Sequence, residues 1–168
     1  MELIRNINQK PPDFMEAIHK FHSKPTGFLL LAGTNGTGKT FSSKAIYNEY
    51  FVEDSDFKMI LNQSDLNIKW QEQMEKWNST LYLLNQIVNT KLLVLDDIGT
   101  RVPSVAFMDF LYIIADKRHE KKNTCGTIIT TNLNAKDMRE KFGDAFVSRV
   151  ASGICVRYDG PDRRFNNF

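Results

Sequence analysis

The chain has 168 residues, 42% hydrophobic and 25% charged, which suits one soluble domain with a real core and leaves little room for a second. Twenty-two basic residues against twenty acidic ones leave a formal net charge of +2, so bulk charge gives no argument for nucleic acid and any DNA contact must be a local patch. No apolar stretch approaches membrane-spanning length and MELIRNINQKPPDF lacks the basic-then-apolar layout of a signal peptide, so a cytoplasmic protein without a membrane partner is expected.

In chain order, Pro11-Pro12-Asp13 opens a short helix running to about Phe21, and Ser23-Lys24-Pro25-Thr26-Gly27 breaks it. Apolar runs of strand length follow near Phe28–Ala32, Phe57–Leu61, Lys91–Leu95, Cys125–Thr130 and Gly153–Arg157, with longer segments of helical period between them. That alternation predicts an α/β domain with a parallel sheet. Residues 1–26 are read as an N-terminal segment with one short helix, and 27–168 as the core. Phe14, Ile18 and Phe21 form one stripe on the first helix, which packs on the core or offers a small docking face. Cys125 and Cys155 each sit in a short apolar segment and read as buried reduced thiols. His19, His22 and His119 show no metal-ligand pattern.

Chemistry concentrates after the first strand, in Gly33-Thr34-Asn35-Gly36-Thr37-Gly38-Lys39-Thr40. The spacing is GxxxxGK[ST], and it lies between a predicted strand and a predicted helix, the context this phosphate loop requires. Its glycines let backbone N–H groups point inward at phosphate oxygens. Lys39 is expected to reach the β- and γ-phosphates, Thr40 to offer its hydroxyl to Mg²⁺, and the following helix to present its positive end.

The strand Lys91–Leu95 ends in a second element, Asp96-Asp97. Asp96 is suited to hold Mg²⁺ and Asp97 to polarise the attacking water. Asp96-Asp97-Ile98-Gly99 also matches the DxxG of GTP switches. Such a switch needs Asn-Lys-x-Asp to read guanine, and Asn134-Ala135-Lys136-Asp137 has its lysine one place late, which favours ATP. Ile128-Ile129-Thr130-Thr131-Asn132 places Asn132 at a strand end, either orienting the lytic water or capping the next helix. Phe142 to Val150 reads as a turn and a short helix presenting Arg149, either toward a neighbouring site or in a surface ion pair.

Together, the segments LLVLDDIG, IITTNL and FGDAFVSRV resemble the AAA+ ATPases, in their helicase-loader branch of DnaC/DnaI and IstB-like proteins, over roughly Phe28 to Arg164. The resemblance implies a three-layer P-loop NTPase with a five-stranded parallel sheet of order 5-1-4-3-2 and no separate helical lid. It implies that Gly33 to Thr40 are Walker A, Asp96 and Asp97 Walker B, Asn132 sensor 1 and Arg149 an arginine finger. ATP and Mg²⁺ are the implied cofactors. A replicative helicase or a host helicase loader, a second copy of the chain and single-stranded DNA are the implied partners. The family's N-terminal helicase-binding domain is not found ahead of Gly33, and so short a core looks like a phage or mobile-element version. Arg163 and Arg164 are candidates for a nucleotide or neighbour contact, or belong to a solvated tail.

Related proteins line the path of single-stranded DNA with the helical segment after the second strand. Here Lys69-Trp70 and Lys76-Trp77 recur at seven-residue spacing. Trp70, Met74, Trp77 and Leu81 fit one apolar stripe, so the rings are expected in the core and the two lysines at the surface. An IstB-like transposition ATPase, a non-catalytic partner of a host loader and a GTP switch are the competing readings.

Overall fold

Apolar side chains alternate along the first strand, and the alternation decides the layering. The computed structural model describes residues 12–50, 57–75 and 79–160. In β1 (Gly27–Gly33), Phe28 and Leu30 join one buried cluster while Leu29 and Leu31 join another on the opposite face. A strand buried on both faces belongs inside a three-layer sandwich.

The chain runs α1 (Pro12–Ser23), β1, α2 (Lys39–Glu49), β2 (Lys58–Asn62), α3 (Gln63–Met74), α4 (Ser79–Asn89), β3 (Leu92–Asp96), α5 (Val105–Glu120), β4 (Gly126–Thr131), α6 (Ala135–Val150) and β5 (Ile154–Tyr158). All four strand pairings are parallel and the order is β2-β3-β4-β1-β5, the order the resemblance implied. Ile18 and Phe21 of α1 and Ile46 of α2 are buried on one face. Leu66, Ile87, Phe107, Ile114, Met138 and Val150, from α3 to α6, are buried on the other. β1, β4 and β3 are thereby central, so the loops leaving their C-terminal ends converge at one place, the usual ligand position of an open α/β sheet.

Several expectations change. Ile18 and Phe21 are sealed in the core, so the α1 stripe packs inward and is no docking face there; the side chain of Phe14 lies outside the described residues. The stripe from Trp70 to Leu81 does not lie on one helix, because α3 ends at Met74 and α4 starts at Ser79. Met74 and Leu81 are exposed, at 59% and 64%. Trp70 does pack inward, its ring 5.6 Å from that of Phe107, and Lys69 is at the surface. Lys76 and Trp77 lie outside the described residues, as do Arg163 and Arg164. Cys125 is buried as expected, but Cys155 is exposed. β5 is an edge strand that turns Val156 and Tyr158 inward and Cys155 and Arg157 outward.

The largest unanticipated feature is Arg118, only 1% exposed. Its guanidinium donates to the Thr127 hydroxyl at 2.6 Å, to the carbonyls of Ile87 and Thr90 at 2.8 and 2.9 Å, and to that of Gly126. It thus satisfies carbonyls at and beyond the end of α4 that the helix leaves unpaired, and ties them to the start of β4. Burial lowers its pKa to about 10, so it stays charged at neutral pH. Arg118→Met is expected to cost about 3–5 kcal/mol, because several buried acceptors lose their donor together. Denaturant unfolding should show a lower midpoint with unchanged slope.

Candidate nucleotide site

The phosphate loop leaves β1 through Gly33, whose φ is +149°. A Cβ at Gly33 would stand 2.0 Å from the carbonyl oxygen of Tyr158, so this glycine is required by the pairing of β1 with β5 rather than by a ligand. Gly38 is different. With φ at +99° it caps α2 without any side-chain hydrogen bond, and a Cβ there would meet nothing within 4 Å. The first turn of α2 therefore presents uncapped N–H groups, the feature that suits an anion. Gly36 also has a left-handed φ of +71°.

Lys39 is 6% exposed, and its ammonium donates to the carbonyls of Gly33 and Thr34, both at 2.7 Å. Thr37 is buried and its hydroxyl donates to the Thr34 carbonyl at 2.8 Å. Gly33, Thr34 and Thr37 thus stand behind the loop and hold its shape. Asn35, Gly36, Gly38, Lys39 and Thr40 line a cavity of about 610 Å³ together with Phe41, Asp97, Thr100 and Asn132.

Asp96 ends β3 and is 8% exposed. One of its carboxylate oxygens, Oδ1, accepts the hydroxyls of Thr40 at 2.9 Å and Thr130 at 2.6 Å. Two hard oxygen donors, Thr40 Oγ1 and the Asp96 carboxylate, therefore adjoin each other beside the buried ammonium of Lys39. That donor set, next to an uncapped helix end, fits Mg²⁺ carried on a polyphosphate. Asp97 follows with φ +55°, the one non-glycine residue with positive φ among those described. Its N–H donates to Thr130 Oγ1 at 2.8 Å. Thr130 thus holds both acidic residues, its hydroxyl donating to the Asp96 carboxylate and accepting the Asp97 N–H, with Asp97 at the cavity wall. Strained backbone held by such bonds concentrates at functional sites.

Asn132 does not cap α6. Asn134 does, its Oδ1 accepting the N–H of Asp137 at 2.9 Å while its amide nitrogen donates to the Asp137 carboxylate at 2.8 Å. Asn132 is left at the cavity wall, and the string Asn134 to Asp137 is used as a helix cap, which removes the element a guanine reader would need.

Arg149 does not line this cavity. It lies in the last turn of α6, beyond a break at Gly143 (φ 82°, ψ 158°), where a turn was expected. Its Nε donates to Asp116 Oδ1 of α5 at 2.9 Å, with about a third of each side chain exposed. The ion-pair alternative is therefore observed in this chain. Phe41, Thr100 and Thr130 were missed as site residues; the adjacency of Phe41 to Lys39-Thr40 and of Thr130 to Asn132 was the available signal. Among the described residues no cluster of three or more His, Cys, Asp or Glu side chains could hold a metal. No helix there is long and apolar enough to cross a membrane.

Comparison with known proteins places this geometry. The crystal structure of the DnaC helicase loader superposes with a TM-score of 0.71 at 23% identity, over 86% of this chain and 88% of that one. The replication initiator DnaA bound to AMPPCP and single-stranded DNA gives a TM-score of 0.70 at 18% identity, over 88% of this chain and 46% of that one. At such identities the likeness shows the fold, a three-layer α/β core around a five-stranded parallel sheet. In sequence, the replicative helicase loader DnaC of Escherichia coli strain K12 is 26% identical over 136 residues, 81% of this chain and 54% of that protein. The chain spans about half the length of the curated relatives it matches. The model of the IstB-like ATP-binding protein family matches residues 20–153, which contain every residue of the cavity. The chain belongs to the IstB-like ATP-binding proteins.

Proposed function

We propose that the chain is the ATP-hydrolysing core of a DNA-replication helicase loader that couples ATP binding to assembly on a helicase and single-stranded DNA. The observation that carries the reading is the convergence of Lys39, Thr40, Asp97 and Asn132 on one cavity, with Asp96 bonded to Thr40 behind it, in a chain similar to DnaC.

Lys39 would exchange the Gly33 and Thr34 carbonyls for phosphate oxygens, and Thr40 with Asp96 would hold Mg²⁺. The metal would supply charge neutralisation at the transferring phosphoryl group. Asp97 would accept a hydrogen bond, and then the proton, from the attacking water at the cavity wall, and Asn132 would orient the same water. Arg149 is absent from the wall of its own cavity and would serve a neighbouring copy, where its remaining N–H donors would reach the transition-state charge. In this arrangement Asp116 holds Nε and leaves the terminal nitrogens for that contact.

For single-stranded DNA the supporting feature is a groove of about 280 Å³ between α3 and the loop after β3. It offers amides for base edges in Asn67 and Gln71, apolar surface in Ile68 and Val102, and Arg101 for phosphate. This replaces the Lys69–Trp70 face, whose ring is packed against α5.

Asp97→Asn tests the catalytic part. It is expected to keep ATP bound within about twofold while lowering turnover about 10²–10⁴-fold, the range for losing a positioned general base. Wild-type turnover in that variant would remove Asp97 from the mechanism. The family match itself favours a second reading, an IstB-like ATPase acting in transposition, which would require a transposase partner and double-stranded DNA. A chain that binds ATP with almost no turnover would instead fit a non-catalytic partner of a host loader.

A further inference from the structure

One loop, from Asp97 to Ser104, lines two cavities. Asp97 and Thr100 face the nucleotide cavity, while Arg101, Val102, Pro103 and Ser104 face the groove beside α3. Its first half is fastened to β4: Ile98 N–H donates to the Thr130 carbonyl at 2.9 Å, and Thr131 Oγ1 donates to the Ile98 carbonyl at 2.6 Å. Its middle is held by a buried side chain bonded at two points.

That side chain is Gln63, the first residue of α3, 4% exposed. Its Oε1 accepts the N–H of Gly99 at 2.7 Å and its Nε2 donates to the carbonyl of Arg101 at 3.1 Å. Gly99 is clasped from its other side by Lys141 of α6, which donates to its carbonyl at 2.6 Å. The position tolerates little movement of its own. Its φ is +101°, and a Cβ there would lie 2.4 Å from Leu133 Cδ1. Gln63 also lines the groove, on the same helical face as Asn67 and Gln71, four and eight residues on. A displacement of α3 by a ligand in the groove therefore acts on the backbone of Gly99 directly, two residues from Asp97.

Resting on the proposed function above, we infer that Gln63 is a positioning residue that couples occupancy of the groove by single-stranded DNA to the nucleotide site, through the backbone of Gly99 and Arg101. A buried amide bonded at both ends suits this role because neither bond can shift without leaving an unpaired polar group behind. A merely structural Gln63 would matter for folding alone, whereas a coupling Gln63 sets the dependence of one ligand's affinity on the other. Linkage makes that dependence reciprocal and measurable.

The test measures the affinity of the chain for an ATP analogue by calorimetry, without and with saturating single-stranded oligo-dT. The wild type is expected to change its affinity about fivefold or more, at the lower end of typical coupling. Gln63→Met, near in size but unable to make either bond, is expected to bind the analogue normally in the absence of DNA and to show a ratio near one. If Gln63→Met does not melt cooperatively, Lys141→Met, which frees Gly99 from the opposite side, takes its place with the same expectation. A folded Gln63→Met that keeps the wild-type ratio overturns the inference while leaving the proposed function standing, and the same holds for Lys141→Met where it is the deciding variant. A wild type that binds both ligands with no effect of either on the other also overturns it. A wild type that binds no nucleotide, or no oligo-dT, brings down the corresponding part of the proposed function first.

Discussion

Replacing Arg149 with alanine is expected to remove about 10³–10⁵-fold of the hydrolysis that rises with protein concentration, the usual worth of an arginine supplied to a transferring phosphoryl group. The nucleotide affinity of the isolated chain should not change, because Arg149 is absent from the wall of its own cavity. The fold should not suffer either. Its partner Asp116 is about a third exposed, as is Arg149 itself, and such pairs are worth about 0–1 kcal/mol. A loss of rate without loss of binding or stability is therefore the signature of a role in a neighbour's site. Arg149→Lys should fail to restore the rate, since an ammonium cannot hold Asp116 and present two further donors in one plane. The check is turnover measured across a dilution series. Rates proportional to protein concentration and insensitive to Arg149 would assign the residue to its ion pair alone.

The second large effect concerns Lys39→Ala, expected to weaken ATP–Mg²⁺ binding about 10²–10³-fold. The residue is 6% exposed and its ammonium is already bonded to two carbonyls, so its contact with a phosphate oxygen would be made at reduced dielectric. Truncating one member of a buried charge pair costs about 2–5 kcal/mol, which spans that range of affinity. Gly33 and Thr34 line a separate cavity of about 510 Å³, where water can reach their carbonyls, so thermal unfolding should move by no more than a few degrees. Calorimetric titration checks both halves of the expectation, and unchanged affinity would mean that the nucleotide cavity is not where phosphate binds.

The sequence carried the α/β class and the phosphate site because both rest on local signals, whereas the strand order came from the family resemblance. Apolar runs separated by helical segments leave few arrangements, and GxxxxGK[ST] names its own position between β1 and α2. Strand ends moved by a residue or so because pairing sets them: β3 extends through Asp96 by standing opposite Asn62 of β2. What pattern could not reveal was side chains whose partners are distant backbone. Arg118 reads as a surface cation in the run Asp116-Lys117-Arg118, yet its acceptors come from α4 and β4, thirty-one and eight residues away. Gln63 follows β2 without any periodic signature, and its role depends on a loop thirty-six residues later. The seven-residue recurrence of Lys-Trp suggested one helix because spacing alone does not record where a chain turns. Cys155 misled for a related reason, since an apolar run does not say which of its residues face out from an edge strand.

The measurement that bears most directly on the loader reading is co-purification of the chain with the replicative helicase of its native cell, on single-stranded DNA, with and without ATP. Retention of the helicase, direct or through a host loader, that rises with ATP and is lost in Lys39→Ala is the predicted result. A protein that binds ATP tightly yet retains neither helicase nor loader in either condition would contradict the account, and would move the transposition ATPase into its place.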